Sequence, residues 1–154
     1  MSAAAIADAQ PAVEVHDVWK ELAGDGRRVE ALQGIDIAVA RREFVALLGP
    51  SGCGKSTLLN MVAGFDTPTR GQVLASGEPV AAPSPRRAVV FQESALFPWF
   101  SVYDNVVFGP KTQGRPAGEY RAQAQQILDQ VGLSGFAAHY PAELSGGMKQ
   151  RVAI

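Results

Sequence analysis

The sequence predicts an α/β chain with an antiparallel β region first, a glycine-rich loop between a buried strand and a helix next, and a helical portion last. Three observations carry this. Apolar and polar residues alternate over the opening strands, a short apolar run leads into the glycine-rich stretch 49–57, and helical spacing takes over after residue 100.

Residues 1–11 read as a loose tail ending at Pro11; it is alanine-rich and lacks the basic start of a signal peptide. Val13-Glu14-Val15-His16-Asp17-Val18 alternates as a half-buried strand does. Gly24-Asp25-Gly26 reads as a turn, and 29–39, with Ile35, Ile37 and Val39, as the returning strand of a hairpin. Glu43-Phe44-Val45-Ala46-Leu47-Leu48 is nearly continuous in apolar residues, the pattern of a strand buried on both faces of a parallel sheet. After the glycine loop, a helix over 56–65 offers Leu58, Leu59, Met61 and Val62 to the core and stops near Gly64, with Pro68 beyond.

Strands are expected over 71–77 and 87–92, across a connector holding Pro79, Pro83 and Pro85. Leu96-Phe97-Pro98-Trp99-Phe100 reads as an aromatic loop. Residues 102–108 and 119–131 read as helices, the second with Ile127, Leu128 and Val131 at helical spacing. Ser145-Gly146-Gly147 is a turn that opens a last helix from Met148 onward. No internal repeat or low-complexity linker follows the tail, so 12–154 reads as one domain.

Composition bounds the function. The 154 residues, 47% hydrophobic and 19% charged, suit one globular domain with a real core. Fourteen basic against fifteen acidic residues give a net charge of -1, which argues against a dedicated nucleic-acid binder. The pairs Arg27-Arg28, Arg41-Arg42 and Arg86-Arg87 are scattered and read as solvated surface. A single cysteine, Cys53, excludes an internal disulfide, and it reads as a small residue filling a tight loop. His16 and His139 lack the spacing of metal ligands. No run reaches the ~18 apolar residues of a membrane-spanning helix. A chain kept in the cytosol is expected, with any membrane role exercised through a partner.

The chemistry concentrates in two places. Gly49, Gly54, Lys55 and Ser56 satisfy G-x-x-x-x-G-K-[ST], in the strand–loop–helix context that gives the pattern meaning. Glycines let the backbone of Gly49-Pro50-Ser51-Gly52-Cys53-Gly54-Lys55-Ser56-Thr57 curl and bring its N–H groups to phosphate oxygens. The helix start adds its positive dipole end, Lys55 a full charge for β and γ phosphates, and Ser56 a hydroxyl for Mg²⁺. At the far end, Ser145 is placed to N-cap the last helix while Gly146 and Gly147 leave N–H groups open to an anion.

Leu144-Ser145-Gly146-Gly147-Met148-Lys149-Gln150-Arg151 resembles the signature sequence of ABC ATPases, with Met148 where glutamine is commoner. Val89-Val90-Phe91-Gln92-Glu93 resembles the family's Q-loop. The resemblance spans about 13–154 and implies a P-loop NTPase fold. More closely, it implies an ABC nucleotide-binding domain with an N-terminal antiparallel β region and a helical subdomain. The C-terminal part is read as missing, the chain ending inside the signature helix. It implies ATP and Mg²⁺ as cofactors, Lys55 and Gln92 as catalytic residues, and Ser56 and Gln92 facing the metal. It also implies that Ser145, Gly146 and Gly147 read the γ-phosphate of ATP held by a second ATP-binding subunit in a homodimer.

Gly71-Gln72-Val73 with 90–99 is similar to the nitrate/sulfonate/taurine importer subfamily. The partners then implied are transmembrane permease subunits and indirectly a periplasmic or surface solute-binding protein; Pro98, Trp99 and Phe100 read either as the surface that meets the permease or as core packing. The expected place is the inner face of the cell membrane, peripherally, with no nucleic acid bound. Leu22 stands where the family usually has an adenine-stacking aromatic, and Trp19, three residues earlier, faces differently. The strand ending in aspartate, the glutamate that polarises water and the switch histidine have no counterparts in the sequence, so these residues alone are expected to be inactive as an ATP hydrolase. A truncated, non-catalytic remnant and a soluble non-transport ABC ATPase remain as alternatives.

Overall fold

In a computed structural model describing residues 10–24 and 27–154, the alternation over 13–39 is realised as a long hairpin. Most of the tail expected over 1–11, and Asp25 and Gly26 of the expected turn, lie outside the described residues. Strand β1 (Val13–Gly24) pairs antiparallel with β2 (Arg27–Val39) on one side and with β3 (Arg70–Ala75) on the other. The two-residue strand β4 (Glu78–Pro79) completes a sheet of order β2-β1-β3-β4. The chain divides into two compact units, Met1–Val89 and Val90–Ile154.

Val15 and Val18 are both buried although an odd separation would put them on opposite faces of a regular strand. A bulge between them resolves the conflict: the register shifts there, and Asp17 adopts φ +43. The Asp17 amide donates to Asp36 Oδ1 at 3.0 Å. Gly71 on the neighbouring strand has φ +83, and a Cβ there would stand 2.1 Å from the Asp17 carbonyl oxygen. Only glycine fits against this bulge.

Helix α1 (Lys55–Ala63) covers the sheet with Leu58 and Met61, which join Val15, Val18, Leu32, Val73 and Val80 in one core. It ends as expected at Gly64, whose φ of +87 supports a Schellman turn: Phe65 N–H donates to Asn60 O and Gly64 N–H to Met61 O. Leu59, expected in the core, is exposed instead, because the buried stripe runs through Leu58 and Met61. Beyond the helix, Lys20 of β1 reaches Asp66 Oδ1 at 2.5 Å and Thr67 O at 2.9 Å. The Lys20 ammonium holds the Asp66 carboxyl below its ordinary range, against a smaller opposing effect of burial.

Two expected strands are absent. Residues 43–48 and 87–92 form no ladder, and Phe44 and Leu48 are 93% and 92% exposed. The physical reason is that a strand is defined by its neighbours. Among the described residues no segment pairs with either run, so most of their apolar side chains are exposed, Leu47 alone of 43–48 packing against the core. Gln92 therefore sits in irregular chain rather than at a strand's end. Arg87 also departs from the solvated reading, being half-buried with a guanidinium that donates to the Ala82 carbonyl.

The second unit is helical: α2 (Val102–Thr112), α3 (Ala117–Gln130) and α4 (Gly146–Ala153), with short 3₁₀ turns at Ser134–Phe136 and Pro141–Glu143. Ser101 caps α2 by accepting from the Asp104 amide at 3.0 Å. Gly132, at φ +69, ends α3 in a second Schellman turn, with Leu133 N–H donating to Leu128 O at 2.7 Å. Leu128 and Leu133 are fully buried and form the core with Val102, Leu144 and Val152. Ile127, expected beside Leu128, is partly exposed.

Leu128→Ala should lower the unfolding free energy of the second unit by roughly 2–5 kcal/mol, read from urea denaturation. Because the Asp66 pKa is depressed in the folded state, its contribution is present above the ordinary carboxylate pKa and lost as the pH falls through and below about 4. Asp66→Asn should therefore lower stability at neutral pH and flatten the acid limb of a melting-temperature profile.

Candidate functional site

Residues 49–57 wrap into the start of α1, and the backbone dictates where glycine must be. Gly52 and Gly54 have φ of +81 and +91. At Gly54 a Cβ would stand 2.6 Å from the Ala31 carbonyl oxygen and 2.7 Å from Leu32 Cδ2, so the loop is pressed onto β2 there. At Gly52 nothing lies within 4 Å, and the loop is open. A Cβ on Gly49 would meet Cys53 Sγ at 2.7 Å. Cys53 is exposed, with its Sγ turned toward Gly49 across the loop.

Lys55 closes the loop on itself. Its Nζ donates to Gly49 O at 2.8 Å and Pro50 O at 2.6 Å, and stands 3.4 Å from Cys53 Sγ. The first intrahelical bond is Leu58 N–H to Gly54 O at 2.9 Å. The amides of Lys55, Ser56 and Thr57 therefore point out of the helix end, where the dipole is positive. Ser51 and Ser56 are exposed and Thr57 half-buried, and the Ser56 hydroxyl makes no hydrogen bond among the described residues.

The other expected site residues belong to the second unit. Gln92 is exposed, its side chain unbonded among the described residues, while its carbonyl accepts from Gln150 Nε2 at 3.3 Å. Ser145 caps α4 as expected, accepting from Met148 N–H at 3.3 Å. The helix begins at Gly146, two residues earlier than the pattern suggested. Gly146 and Gly147 are exposed, with open space where a Cβ would be.

The aromatic loop is part core and part surface. Phe97 packs on Phe100 and Phe108 at 5.4 and 4.5 Å between ring centroids, while Trp99 is 67% exposed. A cavity of about 150 Å³ beside it is lined by Phe100, Asp104, Phe108, Lys111 and Thr112. Asn105, which the sequence reading passed over, holds the loop in shape. Its Oδ1 accepts from Phe97 N–H at 2.8 Å, and its Nδ2 donates to the carbonyls of Phe97, Phe100 and Ser101. The available signal was a poor helix former four residues after a capping serine.

Trp19 and Leu22 differ as anticipated. Trp19 is half-buried, donates to Asp17 Oδ1 at 2.7 Å and carries the Arg70 guanidinium 5.7 Å from its ring centroid. Leu22 is exposed.

Gly52→Ala and Gly54→Ala both place an L residue in the left-handed region, at a cost of about 1 kcal/mol. Gly54→Ala adds the collision with Ala31 and Leu32. Thermal unfolding should show the larger loss of melting temperature for Gly54→Ala.

Comparison with known proteins gives these features a setting. The family model for the ABC transporter matches residues 32–154. An ABC transporter ATP-binding protein of Methanocaldococcus jannaschii is 46% identical over 142 residues, 92% of this chain and 53% of that protein. A taurine import ATP-binding protein of Chromobacterium violaceum is 51% identical over 129 residues, 84% of this chain and 49% of that protein. The chain thus spans about half the length of the curated relatives it matches. Among solved structures, a dimeric ATP-binding cassette in a post-hydrolysis state, bound to ADP and Pi, aligns with TM-score 0.78 at 33% identity. That alignment covers 92% of this chain and 66% of the cassette. A dimeric bacterial ABC transporter cassette aligns with TM-score 0.79 at 32% identity, over 92% of this chain and 67% of its own. With the glycine loop and the capped glycine turn in the expected segments and both lines of likeness agreeing, the chain belongs to the ABC transporter family and has the P-loop fold of its ATP-binding cassettes.

Proposed function

We propose that residues 12–154 are the front part of a nucleotide-binding domain that holds ATP with Mg²⁺ and energises an importer of small solutes of the taurine, sulfonate or nitrate kind. The observation that carries this is the loop 49–57: left-handed glycines, three outward amides at the start of α1, and a lysine ammonium held within it. The donor set fits a polyphosphate. Open space at Gly52 and an unengaged hydroxyl at Ser56 leave room for phosphate oxygens and a metal.

In this reading the amides of 52–57 and the Lys55 ammonium bind β and γ phosphates, and Ser56 meets the metal. Magnesium bound there neutralises phosphate charge. Gln92, with its amide unengaged, would serve the metal and the attacking water, a role that rests on its resemblance to the family's Q-loop. Ser145, Gly146 and Gly147, on a capped helix start, address the nucleotide held by a second copy of the chain, as befits relatives that are dimeric. Exposed Trp99, with Pro98 and Phe100, offers a surface to a permease subunit, and a solute-binding protein acts beyond that subunit. None of the described helices is long and apolar enough to cross a membrane. The place proposed from the importer reading is peripheral, on the membrane's inner face beside the permease subunits. The taurine-type solute rests on the names of relatives at 46–51% identity.

The sequence contains Lys55, Ser56 and Gln92 but no glutamate following an aspartate-ended apolar strand, the group that would activate water. These 154 residues alone should therefore hold ATP without measurable turnover. Mg-ATP at a hundredfold over its dissociation constant should stabilise the fold by about 2.7 kcal/mol, seen as a raised melting temperature. Lys55→Ala should remove most of that shift. No shift in the unaltered chain would overturn the nucleotide reading, and turnover abolished by Lys55→Ala would overturn the inactivity.

A further inference from the structure

We infer that Gln150 is a positioning residue, tying the segment that carries Gln92 to the helix that carries the Ser145-Gly146-Gly147 turn. The bond is Gln150 Nε2–H to the Gln92 carbonyl, 3.3 Å across fifty-eight positions of sequence. Its two ends differ in rigidity. The donor stands on α4, which is fixed at its start by the Ser145 cap and along its length by half-buried Met148 and buried Val152. The next residue, Arg151, fixes it again by donating through Nη1 to Val131 O at 2.6 Å, a carbonyl at the end of α3. The acceptor lies in irregular chain, where no ladder or helix holds residues 90–96.

The choice of atom matters. By gripping the main chain, Gln150 sets the path of the backbone at Gln92 and leaves the Gln92 side chain free. A displacement of α4 is then felt first at the peptide that aims Gln92. Two groups assigned to different nucleotides become parts of one mechanical unit, an assignment that rests on the function proposed above.

The test exploits the chemistry of the amide. Gln150→Glu keeps the shape but has no N–H to donate when ionised, whereas Gln150→Lys restores a donor on a flexible stem. Backbone 15N relaxation of the full chain without nucleotide should show the order parameters of residues 91–94 falling toward about 0.6 in Gln150→Ala and Gln150→Glu. Those of α2 and α3 should stay unchanged, and Gln150→Lys should return 91–94 toward the original values. The proposal is overturned if Gln150→Glu relaxes like the unaltered chain, if Gln150→Lys fails to recover, or if order parameters fall throughout the unit. Because no nucleotide is present, failure here is separate from failure of Mg-ATP to stabilise the chain, which would sink the nucleotide reading and leave the tether standing.

Discussion

Gly54 stands where the glycine loop meets β2, and the close approach of its backbone to the Ala31 carbonyl leaves no room there for a side chain. With no side chain, it takes a left-handed conformation and lets α1 start directly against the hairpin. That contact places Leu58 and Met61 over Val15, Val18 and Val73, so the core of the first unit and the aim of the helix dipole share one origin. The bulge at Asp17 in β1 serves the same core, turning Val18 inward where strict alternation would have turned it out. Glycine recurs at the contact that the bulge makes with β3, at Gly71, for the same reason of space.

The sequence was most legible where a local pattern and a local structure have the same range. The hairpin, the glycine loop, the caps at Ser145 and Gly64 and the helices of the second unit all follow from residues within a few positions of one another. The composition of 43–48 is that of a strand covered on both faces, and that of 87–92 is simply that of a strand. Composition states what a segment can do in a sheet and supplies no neighbours for it. Phe44, Leu48, Val89, Val90 and Phe91 are exposed in these 154 residues, which span about half the length of related proteins. The pattern states a preference for apolar cover and is silent about where such cover comes from.

Side-chain amides account for most of what the sequence reading missed. Asn105 holds three carbonyls and one amide of the aromatic loop, and Gln150 reaches the carbonyl of Gln92. Neither residue has a hydropathy that stands out, and neither lies in a glycine-rich or aromatic pattern. Their role comes from reaching main-chain groups that irregular segments leave unpaired. Loops in this chain are thus shaped by helices that hold them, which is why the loops carry recognisable residues while the residues that position them do not stand out.

Cys53 has a practical consequence. It is the sole cysteine of the sequence, exposed, and placed in the loop between the pressed glycine and the open one. A maleimide dye, a spin label or an iodoacetamide cap applied to this chain has one destination, and that destination is the loop beside Lys55. Such a label is a local reporter and a local obstruction at once. Thiol chemistry used for immobilisation or purification would therefore alter the very segment under study, unless Cys53 is first replaced.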